Sequence, residues 1–216
     1  MGVLSDFLLQ NQNYETFMID VDEESIEFLN DKYPQIKTNL IHGDFLALDF
    51  EQHFDNKLAI IGNFPYNISS QILFKILEER NRVVEMVGMF QKEVAERCVA
   101  KPGGKEYGIL SVFLQAYYEV SYLFTVKAGA FSPPPKVLSG VMRMVRNQRE
   151  SLDCDEKLFW RVVKAGFNQR RKTLRNSLSG IIPKDKMSGN PLYELRAERL
   201  TVEDFKNLTN EIFAQN

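Results

Sequence analysis

The sequence predicts an α/β protein, a sheet flanked by helices on both faces, followed by a small all-helical domain. Three observations carry this expectation. Apolar runs of strand length alternate with stretches of helical periodicity over the first two thirds of the chain. The run Lys57 to Asn63 is apolar almost throughout and closes in Gly62-Asn63, as a parallel strand buried on both faces does. After about Asn147 the strand character ends and only helical patterns follow. The spacing therefore places a boundary near residue 150, between an α/β domain (1–149) and a helical domain (150–216).

Taken in order, residues 3–10 read as a short helix and Glu15 to Asp20 as a strand ending in an acid. Residues 23–33 carry apolar side chains at 26, 28, 29 and 33, a helical pattern stopped by Pro34. Asn39 to His42 is a short strand before Gly43-Asp44, and 57–63 is the third strand. Ser69 or Ser70 is suited to cap the helix that runs to about Glu79. Val83 to Phe90 is a strand, and 93–100 and 110–116 are helices. Tyr118 to Val126 and Gly140 to Val145 form an antiparallel pair, joined through Phe131-Ser-Pro-Pro-Pro135. Helices are expected at 154–167, 171–179 and 202–213.

A hydrophobic share of 44% in 216 residues is enough for a sizeable core. No apolar run reaches the roughly 20 residues that span a bilayer, and no signal-peptide pattern is visible. The expected setting is the cytoplasm. Cys98 and Cys154 fit neither a disulfide framework nor metal-ligand spacing, and His42 and His53 match no catalytic pattern. The net charge of −2 hides an asymmetry: residues 1–150 carry −5 and residues 151–216 carry +3. From Lys157 to Lys184 there are eight basic residues and no acidic one, a local basic surface suited to phosphate.

In open α/β sheets, ligands bind beyond the carboxyl ends of the strands. Asp20 ends the first predicted strand, where a carboxylate can accept both hydroxyls of a ribose. Asp44 follows the second, where it can accept an exocyclic amine, although Gly-Asp is also ordinary turn chemistry. The third strand ends in Asn63-Phe64-Pro65-Tyr66. An adenine N6 amine is a poor nucleophile because its lone pair is delocalised into the ring. Two acceptors aimed at its hydrogens, the Asn63 side-chain oxygen and the Phe64 carbonyl, draw that pair out of the ring plane. Pro65 stiffens the turn and Tyr66 offers a face on which an unstacked base can rest.

The chain resembles the ribosomal RNA adenine dimethyltransferase family, in particular its bacterial small-subunit branch. The resemblance rests on residues 18–22, Gly43-Asp-Phe45, Gly62-Asn-Phe-Pro-Tyr-Asn-Ile-Ser69, residues 91–97, Tyr107-Gly-Ile-Leu-Ser111, Phe131-Ser-Pro-Pro-Pro-Lys-Val137 and 167–175, in the family's order and spacing. It implies a Rossmann-like sheet of the S-adenosylmethionine-dependent methyltransferase type. It also implies dimethylation of N6 on two adjacent adenosines in a hairpin loop near the 3′ end of 16S rRNA. The partner would be the assembling small ribosomal subunit, met by a monomer with no membrane attachment. Carried over, Asp20 would hold the cofactor ribose, in place of the family's usual Glu, and Asp44 the cofactor adenine. Asn63 would serve both cofactor and target amine. Phe64 stands for the usual Leu or Ile, a change expected to matter little if only its carbonyl acts. Phe131 would pack on the flipped adenine opposite Tyr66. Gln169, Arg170, Arg171, Lys172 and Arg175 would grip RNA, with Arg171 and Arg175 one helical turn apart.

The family's first strand normally ends in Glu-x-Gly-x-Gly-x-Gly. The opening Met1-Gly2-Val3-Leu4 matches only the tail of that motif, which makes Gly2 a candidate cofactor contact. The expectation is that about 50 further residues precede this start, judged from a βα unit and a flanking segment. Without that strand, the strands ending at Asp20 and Asn63 would keep unpaired edges unless they closed on each other. Two other readings stay open at this point: a non-catalytic RNA-binding assembly factor, and a large-subunit rRNA adenine methyltransferase of the antibiotic-resistance type.

Overall fold

The computed structural model describes residues 2–187 and 189–215, so the Met1 end of the glycine-motif tail lies outside the described residues. Helix α1 (Val3–Leu8) leads to β1 (Met18–Asp20), α2 (Glu23–Lys32) and β2 (Leu40–His42). Asp22 caps α2 by accepting the Ser25 N–H at 2.9 Å, so the acid-rich Asp-Val-Asp-Glu-Glu stretch starts a helix rather than extending the strand. Next come α3 (Phe50–His53), β3 (Leu58–Asn63), α4 (Ser69–Glu78), β4 (Val83–Gln91), α5 (Lys92–Val99), α6 (Ile109–Tyr117), β5 (Tyr118–Val126) and β6 (Ser139–Arg146). The remainder is helical: α7 (Glu156–Asn168), α8 (Leu174–Ser177) and α9 (Val202–Ala214), with short 3-10 turns between the last two.

The strands form two sheets. β1 and β2 pair in parallel, and a four-stranded sheet has the order β3-β4-β6-β5, parallel between β3 and β4 and antiparallel thereafter. β1 and β3 do not close on each other; among the described residues each keeps one edge without a strand partner. Buried side chains divide correspondingly. Met18, Tyr33 and Ile36 form a small cluster around the two-stranded sheet, and a much larger core runs from Leu48 to Ile212. The large core crosses residue 150 through the Phe113–Trp160 stack (3.9 Å between ring centroids) and the Tyr107–Phe167 contact (6.0 Å).

Three expectations are corrected. β3 is not buried on both faces: its burial alternates, and Ile61 is 44% exposed. The register explains this. Ala59 and Ile61 share a face with Glu85 and Arg143, whose ion pair (2.6 Å) is itself open to solvent, whereas Met86, Phe90, Met142 and Met144 point into the core. Ser69 does not cap α4. Ile68 holds the cap position, and the Ser69 hydroxyl donates backward to the Tyr66 carbonyl (3.0 Å) and, more weakly, to that of Pro65 (3.4 Å). The helix expected at 171–179 shrinks to four residues. Gln169 to Lys172 is a turn closed by Lys172 N–H to Gln169 O at 2.8 Å, so Arg171 and Arg175 do not share a helical face.

Candidate functional site

Three strand ends and the loops after them meet at one margin of the molecule. At the first, Asp20 Oδ1 accepts the Asp22 N–H (3.0 Å), and the Asp20 carbonyl accepts the Gly43 N–H (2.9 Å). That second bond ties the loop after β2 to the end of β1. At the next, Asp44 Oδ1 accepts the Leu46 N–H at 2.9 Å, closing a turn that leaves the carboxylate exposed beside Phe45.

Phe45 carries the connection onward to the third strand end. Its ring lies 6.4 Å from that of Phe64, and Phe64 stacks on Phe90 at 5.1 Å with 21° between planes. The ring at position 64 therefore has a packing role of its own. It seats the turn on β4, and it fits because position 88 is glycine: a Cβ there would stand 2.7 Å from both phenylalanine rings. The Phe64 N–H donates to the Met89 carbonyl at 3.2 Å, which holds the turn to the neighbouring strand.

Asn63 ends β3, exposed, and its carboxamide makes no hydrogen bond among the described residues. Pro65 and Tyr66 follow as the turn into α4. Tyr66 is held at both ends. The hydroxyl of Ser69, 2% exposed, reaches its carbonyl, and its own hydroxyl meets that of Ser139 at 2.5 Å. Neither serine was assigned to the site from sequence. Ser69 reads equally well as a helix cap. Ser139 is a single polar residue opening an apolar strand after a proline-rich loop, and that position was its one available signal.

Phe131 sits half-buried in the segment 127–138 that joins β5 to β6. Gly2 adopts φ +77 ahead of α1, and its carbonyl accepts the Tyr33 hydroxyl at 2.9 Å. That hydroxyl also reaches Asp6 Oδ1 (2.6 Å), which lies in an ion pair with Lys32 (2.9 Å). The Tyr33 hydrogen bond, with that of Lys32 second, holds the Asp6 carboxyl below its ordinary range. A side chain at position 2 would meet the Tyr33 hydroxyl at 2.8 Å, so the glycine is required for packing as well as for its backbone angle.

The basic residues separate into two kinds. Arg175 is half-buried and committed to Glu194 (2.6 Å) and the carbonyls of Lys184 (3.1 Å) and Met187 (3.3 Å). Arg170 pairs with Glu198 (2.8 Å) and reaches the Gly104 carbonyl. Gln169, Arg171 and Lys172 are exposed on the intervening turn, and neither Arg171 nor Lys172 forms an ion pair among the described residues.

The family model described as ribosomal RNA adenine dimethylase matches residues 1–214. A small subunit ribosomal RNA methyltransferase A of Cytophaga hutchinsonii is 57% identical over 97% of this chain and 81% of its own length. The protein of the same description from Flavobacterium johnsoniae is 53% identical over 99% and 82%. Among solved structures, a dimethyladenosine transferase from Plasmodium falciparum superposes with a TM-score of 0.82 at 23% identity, covering 99% of this chain and 86% of that one. The 23S rRNA methyltransferase ErmE gives 0.69 at 21%, over 96% and 86%. The two structures establish a shared fold.

Proposed function

Since this chain belongs to the ribosomal RNA adenine dimethylase family, we propose that it is an S-adenosylmethionine-dependent methyltransferase of the small ribosomal subunit, one that dimethylates N6 of two adjacent adenosines in a hairpin loop near the 3′ end of 16S rRNA. It would do so as a monomer in the cytoplasm, on the assembling subunit. The observation that carries the reading is the exposed Asn63 carboxamide, unpartnered among the described residues, on a turn braced by Phe64 and Tyr66, beside the Asp44 loop. Its close relatives carry the small-subunit description, so the large-subunit and non-catalytic alternatives are not favoured.

The donor set fits the cofactor. Asp20 would take the ribose hydroxyls, Asp44 the adenine amine, and Asn63 the edge nearest the target; the Asp20–Gly43 and Phe45–Phe64 contacts link these three loops. Bound there, S-adenosylmethionine supplies an electrophilic methyl group. The protein's part is to prepare the amine. The Asn63 oxygen and the Phe64 carbonyl accept its two hydrogens, which localises the nitrogen lone pair and turns it out of the base plane. Tyr66 stacks on the extruded base, with Phe131 on its other face, so that the amine is held in line for attack. No strongly basic side chain is needed, because the acceptors do their work before the proton is lost to solvent.

The helical segment from residue 150 supplies the RNA grip. Within it Gln169, Arg171 and Lys172, exposed on their turn, contact phosphate, while Arg170, paired with Glu198, and Arg175, paired with Glu194, shape the loops behind them. The test is to treat undermethylated small subunits with the protein and map the modified nucleotides by mass spectrometry. Dimethyladenosine at two neighbouring positions, lost in Asn63→Ala, is the expected result. Methylation at any other nucleotide, or equal yield from the mutant, would overturn the assignment.

A further inference from the structure

We propose that Ser139 is a positioning residue for the methyl transfer: its hydroxyl fixes the Tyr66 ring and so sets the platform on which the target base rests. The proposal rests on the role given to Tyr66 above. Ser139 is fully buried, and the Tyr66 hydroxyl, 2.5 Å away, is the partner its side chain has among the described residues. A buried hydroxyl is retained where it has a defined partner, because an unsatisfied one is costly.

The backbone of Ser139 is a firm anchor. It opens β6, the strand that lies between β4 and β5, and pairs with Gln91 on one side and Val126 on the other. The carbonyl of the preceding Leu138 accepts the Lys92 N–H at 2.9 Å. The ladder also defines direction. Asn63 stands opposite Met89, Met89 opposite Val141, and Gln91 opposite Ser139, so Asn63 and Ser139 project from the same face of the sheet near the same end. Across the sheet they stand two strands apart, about 9–10 Å at ordinary strand spacing, with Ser139 two residues further along. Tyr66 leaves the turn after Asn63 and reaches across that interval to Ser139.

The same residue closes the loop that carries Phe131. Val126 and Ser139 are paired, and the segment 127–138 lies between them. One buried hydroxyl thus joins the turn bearing Asn63 and Tyr66 to the root of the loop bearing Phe131. With Ser69 holding the Tyr66 carbonyl, the ring is fixed at its backbone and at its tip.

The experiment combines a spectroscopic and a kinetic readout on the full chain. With 3-fluorotyrosine introduced at position 66, the fluorine resonance should be single and sharp in the parent and shifted or broadened in Ser139→Ala. Tyr66→Phe, which keeps the ring and removes its hydroxyl, and Ser139→Ala should each lower kcat about tenfold, with the KM for an RNA hairpin little changed. Because both remove the same bond, the double variant should be no slower than the slower single one. An unmoved fluorine signal, or losses that multiply in the double variant, overturns the proposal. Should Ser139→Ala fail to fold, full kcat in Tyr66→Phe overturns it alone. Tyr66→Ala separates the two levels: full transfer there removes the role of Tyr66 itself. Transfer lost there but kept in Ser139→Ala removes only the role of Ser139.

Discussion

Substituting Gly88 by alanine tests whether the ring at position 64 builds the turn proposed to be catalytic. A Cβ at position 88 would lie 2.7 Å from Cε2 of Phe64, 2.7 Å from Cε2 of Phe90 and 2.9 Å from Sδ of Met86. Ordinary carbon contacts lie at about 3.5–4.0 Å, so both rings must retreat by nearly an ångström. They are stacked on each other at 5.1 Å, which leaves neither free to swing alone. Overpacking of this kind costs about 1–3 kcal/mol. For a chain of this size that lowers Tm by about 2–12 °C. Because Phe64 follows Asn63 directly and its carbonyl is one of the two proposed acceptors, a displacement near 1 Å should also slow methyl transfer by about a hundredfold. The remedy is equally specific. Phe64→Leu removes the ring edge that the new methyl group strikes, so Gly88→Ala/Phe64→Leu should recover at least about 1 kcal/mol relative to the sum of the single changes. Urea denaturation of the four proteins measures the coupling, and single-turnover methylation measures the catalytic part. Additive stabilities, or normal turnover in Gly88→Ala, would refute the argument that Phe64 is seated over Gly88 for the sake of the turn.

The other predictions follow from the same geometry. Asn63→Ala should abolish methyl transfer with RNA affinity nearly intact, since the carboxamide supports nothing else among the described residues; filter binding beside methylation separates the two. Arg171→Glu and Arg175→Glu make the same charge change with different outcomes. The first should weaken RNA binding and reduce its salt slope by about one contact without altering Tm. The second breaks the bonds to Glu194, Lys184 and Met187 and should destabilise the fold by about 2–4 kcal/mol, seen as a fall in Tm. Burial pushes the Cys98 thiol up to about 12, and burial followed by the Glu156 charge pushes Cys154 up to about 11. Raised values mean protonated thiols at neutral pH. Alkylation of native Cys154 should therefore keep rising about tenfold per pH unit beyond pH 9, where a free cysteine levels off, and Cys98 should react only on unfolding. A rate plateau near pH 8.5 would contradict this.

What the sequence disclosed was governed by how local each feature is. Strand ends are local: an apolar run stopped by Asp20, by Gly43-Asp44 or by Gly62-Asn63 announces its polar terminus, and these are the positions the structure brings to one margin. The mixed sheet was partly legible as well, since two adjacent strands joined through a single proline-rich loop pair antiparallel. Features set by distant partners were not. Nothing near Ile61 signals that one face of β3 stays open; that depends on where the later helices gather. Arg171 and Arg175 look equivalent in the string, yet Glu194, nineteen residues beyond Arg175, engages one of them in an ion pair. Ser139 is the sharpest case. It lies 73 residues from Tyr66, and no periodicity or spacing can express a contact made across two strands of a sheet. The polar strand ends could therefore be read from sequence, while the bonds that fix their geometry required the fold. It follows that functional loss in this protein should extend beyond its motif residues to the buried partners that hold them, with Gly88 and Ser139 foremost among them.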